Sequence, residues 1–234
     1  MKLKKLRSHD HPDLSDYVVH LVGRTGKRVD EVPEDIQGMA PEDRLAYILR
    51  DGEIRAFPVF GGKEPVVCFS ECTRSGIAAL VASGRYHPWG VAFHKDTVFR
   101  FGGGPVFYIR GDEWVHRLSM PDEIRFRASR FWPGAEPDAG EVLHQDIATE
   151  SDWLHEREWR VLGHGNPPQL CFETNDVAFL VVATRTFRDQ LGTWINETRG
   201  PGEETPFVRL PLMELDKSGG VLTDDLGIWV TTQD

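Results

Sequence analysis

No stretch of this chain approaches the ~20 consecutive apolar residues that a membrane-spanning helix needs. The N-terminal Met1-Lys2-Leu3-Lys4-Lys5-Leu6-Arg7 is basic, but Ser8-His9-Asp10-His11-Pro12-Asp13 follows where a secretory signal would place an apolar core. No secretory signal is therefore expected, and a cytoplasmic location is the default. Cysteine is scarce: Cys68, Cys72 and Cys171 leave at least one thiol unpaired, which fits a reducing compartment. Cys68 and Cys72 are spaced C-x3-C, yet no second ligand pair has zinc-type spacing among the 9 histidines, so no metal site is expected. Basic residues are outnumbered, giving a formal net charge of −10. That argues against a duplex-binding module, which concentrates positive charge on one surface, while leaving room for a local basic groove.

Several catalytic signatures are missing as well. There is no Gly-x-Ser-x-Gly elbow, so serine hydrolase chemistry has no support. Gly102-Gly103-Gly104-Pro105 lacks the G-x-G-x-x-G spacing and leads into a strand pattern instead of a helix, so it reads as a tight turn and as neither dinucleotide fingerprint nor P-loop. No cluster of Asp, Glu and Lys suggests a two-metal nuclease. A nucleophile at Cys68 or Cys72 has nothing in the spacing to select a histidine partner.

What is present is ordinary for a globular protein: 40% hydrophobic and 27% charged residues, without repeats or a low-complexity linker. One domain over residues 1–234 is expected, with a core at about 16–183, C-terminal strands within 207–230 and residues 1–14 as a flexible lead-in. Asp16 to Val22 reads as a buried strand carrying His20. Residues 23–38 read as a loop whose Arg24-Thr25-Gly26 tip could touch a ligand. Pro41 to Arg50 places Leu45, Ile48 and Leu49 on one helical face, with acids in the first turn and Asp51-Gly52 as terminator. Short strands are predicted at 53–56, 66–70, 89–93, 106–109, 177–183, 207–212 and 227–230, and helices at 76–83 and 186–195, with irregular or short helical structure over 111–150. Strands outnumber helices without regular βαβ alternation, so the class is α+β with a mixed or antiparallel sheet and few helices.

The densest chemistry lies in Trp153-Leu154-His155-Glu156-Arg157-Glu158-Trp159-Arg160-Val161-Leu162. As a helix it would make Glu156 and Arg160 an ordinary i,i+4 surface pair. Its β-branched and aromatic content, and the Gly/Pro break at residues 163–168, favour a strand with Glu156, Glu158 and Arg160 on one face. Glutamates two apart are too close to flank a glycosidic bond from opposite sides, which demotes an ordinary glycosidase. The candidates that remain are His20, Ser70 with Glu71 at a strand end, Tyr108 after the glycines, and the Glu156/Glu158 pair.

Taken in order, His20 in a first strand, "ILRDGEI", "VVCFSE" and "EREWRV" resemble the bacterial AbiGi-type abortive-infection group, whose members are described as antitoxins, over roughly residues 16–183. A second resemblance is to the ADP-ribosyltransferase fold, including DarT-type toxins, in which an early His or Arg, a middle Ser, Thr or Tyr and a late Glu surround NAD. That resemblance implies NAD as substrate. Glu158 would be the catalytic glutamate, Glu156 its supporting partner, and His20 would act on the ribose and pyrophosphate side. Arg24, Thr25, Ser70 and Tyr108 would help hold NAD. It also implies transfer of ADP-ribose to a nucleic acid or protein, or hydrolysis of NAD, in a phage-defence or toxin–antitoxin setting. Phe69-Ser70-Glu71 departs from the fold's usual Ser-Thr-Ser run, so the serving hydroxyl stays open. The competing expectation is a non-catalytic antitoxin that neutralises a cognate toxin through its acidic surface. In it Glu158 and Arg160 pair across a sheet, with Arg24 or Arg55 as partners.

Overall fold

The helix expected after residue 40 forms over Pro41–Asp51, for the reasons its sequence supplies. Proline opens it where no backbone N–H is needed. Glu42 and Asp43 face the positive end of the helix dipole, and Arg50 lies in the last turn. Gly52 closes it at φ 67°, a left-handed conformation that glycine adopts freely, and donates its N–H to the Ile48 carbonyl at 2.9 Å. Leu45 and Leu49 are fully buried.

The structure, a computed structural model, describes residues 15–23, 36–59, 62–71, 73–132, 154–187, 189–191 and 209–224. In chain order the elements are β1 (Tyr17–Leu21), α1 (Pro41–Asp51), β2 (Glu53–Arg55), β3 (Phe57–Pro58), β4 (Pro65–Ser70), α2 (Arg74–Ala82), β5 (Gly90–His94), α3 (Lys95–Arg100), β6 (Gly104–Pro105), β7 (Phe107–Arg110), α4 (Asp122–Arg125), β8 (Ala128–Phe131), β9 (Glu158–Leu162), β10 (Gln169–Cys171), β11 (Val177–Val182), β12 (Leu212–Leu215) and β13 (Val221–Asp224). Three 3-10 segments, Gly111–Ser119, Leu154–Glu156 and Thr174–Asp176, are also present, and residues 187 and 189–191 are helical. The α+β class with a mixed sheet and few helices is thus observed. No helix among the described residues is long and apolar enough to cross a membrane.

The chain divides into two compact, interleaved units: Met1–Ile54, Glu71–Thr97 and Cys171–Asp234 form one, Arg55–Ser70 and Val98–Leu170 the other. In the first unit the strand order is β13-β12-β11-β5-β1. The β11/β12 pair is parallel, while β12/β13, β11/β5 and β1/β5 are antiparallel. Alternation along β1 puts Val19 on the face covered by Ile77, Leu80 and Val81 of α2, where Phe179, Val181, Met213 and Leu215 complete a cluster. His20, one residue on, points to the opposite face and is half-buried. The helix α2 starts at Arg74, two residues before its expected start, because the Thr73 hydroxyl accepts the Gly76 N–H at 3.2 Å as an N-cap.

In the second unit β4 lies between β3 and β9, and β6 pairs the far edge of β9. Gly103 is required there by close approach: a Cβ would come within 2.7 Å of a Val161 methyl and 2.8 Å of a Val98 methyl. The glycine run is a turn packed onto β9, in keeping with the tight turn read from the sequence. The strand expected over 106–109 is divided. Val106 still donates its N–H to the Glu158 carbonyl at 2.8 Å, but from Phe107 the chain pairs in parallel with β8.

Three expectations need correction. The strand expected at 207–212 begins only at Leu212, since residues 209–211 are not strand, and Pro211, which lacks an N–H, precedes it. The strand β13 was not expected at all. Residues 111–119 form a 3-10 segment, in keeping with the irregular or short helical structure expected over 111–150, but Ala128–Phe131 in that range is the strand β8, which was not expected. Trp194 and Ile195 of the expected helix, and 207–208 and 227–230 of the expected strands, lie outside the described residues.

Replacing Leu45 by Ala is expected to lower stability by about 2–5 kcal/mol, the range for truncating a fully buried leucine. Ile48→Ala, at a half-buried position on the same face, is expected to cost less. Urea unfolding of both variants checks the order.

Candidate functional site

The charged segment becomes β9 only from Glu158 onward. Leu154–Glu156 forms a 3-10 turn, and Arg157 adopts φ 45°, the one non-glycine positive φ among the described residues. A left-handed residue at this point breaks the two-residue alternation. Glu156 therefore does not share a strand face with Glu158 and Arg160, contrary to the expectation from spacing. It is buried on the turn instead.

Antiparallel pairing of β4 with β9 sets Ser70 opposite Glu158 and Cys68 opposite Arg160. Paired residues project to the same side, so these four side chains form one polar face, while Val67, Phe69, Trp159 and Val161 form the apolar face behind it. Within the polar face Arg160 grips Glu158 with both prongs of its guanidinium. Nε donates to Oε1 at 2.8 Å and Nη2 to Oε2 at 3.0 Å. Its remaining nitrogen, Nη1, donates to the carbonyls of Phe126 at 3.1 Å and Ala128 at 2.8 Å. The two side chains are only 4% and 11% exposed, so this is a buried, bidentate pair with its spare donors satisfied.

Electrostatics follow from that enclosure. Burial alone would lower the proton affinity of Arg160. The Glu158 carboxylate more than reverses this, with Cys68 and Tyr108 adding to it, so the guanidinium is held above its usual range. Burial pushes the Cys68 thiol well up, and the carboxylates of Glu158 and Glu156 push the same way against Arg160. A thiol so placed is a poor nucleophile, which removes the chemical basis for a Cys68 catalyst.

The structure thus brings Ser70, Glu158 and Arg160 onto one face of the second unit. Glu156 and Tyr108 lie close enough to influence Cys68 and Arg160 respectively. Tyr108 is half-buried on β7, in an edge contact with Phe131 at 6.4 Å. Glu71, the residue after Ser70, turns to Lys95 in the first unit, 2.7 Å away. His20 stands on β1 of the first unit, opposite Val91. Arg24, Thr25 and Cys72 lie outside the described residues. Among the described residues no three His, Cys, Asp or Glu side chains gather as a metal site.

Reading the sequence missed two members of this region. Cys68 was weighed as a nucleophile, whereas its place is inside the ion-pair face. Arg127 carried no motif and no periodic signal, and its position becomes visible only once β6 and β8 are assembled. Comparison with protein-family models, with curated proteins and with solved structures gives no match.

Arg160→Met is expected to destabilise the protein by about 3–5 kcal/mol, because it strands a buried carboxylate. The double variant Glu158→Leu/Arg160→Met is expected to lose less than the sum of the single changes, which a double-mutant cycle in urea measures. The raised Cys68 value also sets a pH dependence. The folded state holds the thiol proton more tightly than the unfolded chain, whose thiol ionises near pH ~8.5. The associated stability is complete below that pH and is lost as pH rises toward the folded value. Cys68→Ala is expected to flatten the fall in stability between neutral and strongly alkaline pH, as read by denaturant midpoints.

Proposed function

We propose that the protein is an ADP-ribosyltransferase-like, NAD-binding member of a bacterial phage-defence or toxin–antitoxin system, with Glu158 as its reactive carboxylate. The observation that carries this reading is the Glu158 carboxylate, fixed in orientation by Arg160 and faced across the strand pair by Ser70. Cleavage of NAD breaks the bond between the ribose C1′ and the nicotinamide nitrogen. The bonding pair leaves with neutral nicotinamide, and the ribose carries oxocarbenium character until an acceptor nucleophile or water adds to C1′ and loses a proton. A fixed anion beside that carbon stabilises the developing charge without reorganising at the moment of reaction. Each Glu158 oxygen accepts one N–H from Arg160 and retains a second lone pair, enough to accept a ribose hydroxyl as well. Glu156, buried on the preceding turn, supports the pair's environment. Ser70 and Tyr108 are the candidates for the nicotinamide side.

One observation favours a second reading. Both Glu158 oxygens and the Phe126 and Ala128 carbonyls are drawn to a single guanidinium, which is also what a purely structural clasp looks like. In that reading the protein is a non-catalytic antitoxin binding a cognate toxin.

The two separate experimentally. Purified protein incubated with NAD and a mixture of DNA, RNA and cell proteins is expected to release nicotinamide, and Glu158→Gln, checked by thermal melting for an intact fold, to reduce release at least 100-fold. Ser70→Ala is expected to act through KM for NAD. Neither turnover nor an NAD-dependent rise in Tm would remove the enzymatic reading. Growth arrest on expression that Glu158→Gln abolishes would remove the antitoxin reading.

A further inference from the structure

Arg127 sits at the turn between α4 and β8, and its guanidinium crosses the backbone of Gly104. A Cβ there would lie 2.5 Å from Arg127 Nη1, so the guanidinium occupies space that only glycine leaves open. Its Nε is shielded from solvent and has no hydrogen-bond acceptor among the described residues. The carbonyls of Phe126 and Ala128 accept from Arg160, and the Arg127 carbonyl accepts the Phe107 N–H at 3.1 Å; none of them accepts from Arg127 Nε. What remains are the rings of Phe107 and Phe126, whose centroids lie 5.8 and 5.9 Å from the guanidinium carbon. That is the far edge of cation–π range, and a ring face does not satisfy an in-plane N–H.

Arg127 is half-buried, and a single buried donor left unanswered, its Nε–H, is costly unless something accepts from it. The group that matches a planar fork of donors is an oxyanion, and a phosphate fits it with two parallel hydrogen bonds. We propose that Arg127, seated over Gly104 and beside Phe107, is the anchor for a phosphate group of the ligand. Where that ligand is NAD, the anchored group is the pyrophosphate, and this last step rests on the function proposed above. Arg127 is then a binding residue, distinct from Glu158 at the reacting carbon. Glycine at position 104 is a specificity device, since it sets where the fork can lie.

The shared chemistry is a phosphate oxyanion, and free pyrophosphate, ADP-ribose and NAD are the probes that separate its sources. Calorimetric titration of the full chain is expected to show binding of pyrophosphate and tighter binding of ADP-ribose, both falling steeply with salt. Arg127→Met is expected to weaken both at least tenfold while leaving the Tm of the unliganded protein unchanged or raised, since no hydrogen bond is lost. Gly104→Ala, which displaces the fork and keeps its charge, is expected to weaken ADP-ribose about as much, and it decides the matter should Arg127→Met fail to fold. Absence of binding to the wild-type chain, or affinity unchanged in the variants, overturns the anchor. Anchored pyrophosphate without any NAD turnover leaves the anchor standing and removes the NAD chemistry. NAD turnover with an unaltered KM in both variants does the reverse.

Discussion

Arg160 is a cation with almost no water to solvate it, and Glu158, Phe126 and Ala128 meet four of its five donors. Charge is costly to bury, and the cost is offset here only because a carboxylate two residues earlier on the same strand presents both oxygens to the fork. The third nitrogen ties down the carbonyls on either side of Arg127, and with them the start of β8. One side chain thereby fixes the orientation of Glu158, the path of the α4–β8 turn and the polar character of the β4–β9 face. Cys68, set opposite Arg160 in that pairing, is held protonated by the same enclosure.

That arrangement constrains any chemistry the face performs. A carboxylate held by two hydrogen bonds from a buried guanidinium is well suited to act as a stationary charge and poorly suited to shuttle protons. This is why the proposed role of Glu158 is stabilisation of a developing cation. Arg127 adds a contrast: Arg160 binds the carbonyls of the residues on either side of it, and of these two arginines one has its donors answered by protein while the other has a buried donor unanswered. The first belongs to the scaffold, and the second is what a ligand would complete.

Much of the fold was legible because it depends on local preferences. The helix α1 has its acids, its proline and its terminating glycine in sequence order, and the apolar runs at β1, β4, β5 and β11 are long enough to be recognised singly. The strands β13 and β8 were not legible: the first pairs a neighbour, β12, whose position follows from packing, and the second is completed only by its parallel pairing with β7. The boundaries between the two units were hidden as well. The chain crosses between them at Ile54/Arg55 and Leu170/Cys171, inside β2 and β10, and at Ser70/Glu71 and Thr97/Val98, so no linker composition marks the crossings.

For the candidate site the division is similar. The sequence by itself determined that Glu158 and Arg160 share a strand face, because side chains alternate with a period of two and the residues from 158 onward have strand character. It also placed Ser70 at a strand end. Only the tertiary structure decided that Arg160, and not an arginine from another segment, takes both oxygens of Glu158. It likewise decided that Glu156 leaves the face, because Arg157 turns left-handed just before the strand begins. And it decided that Arg127 lies over Gly104 with a donor to spare. Pairing of a charge depends on which groups come within about 3 Å after burial, a distance that spacing along the chain does not encode.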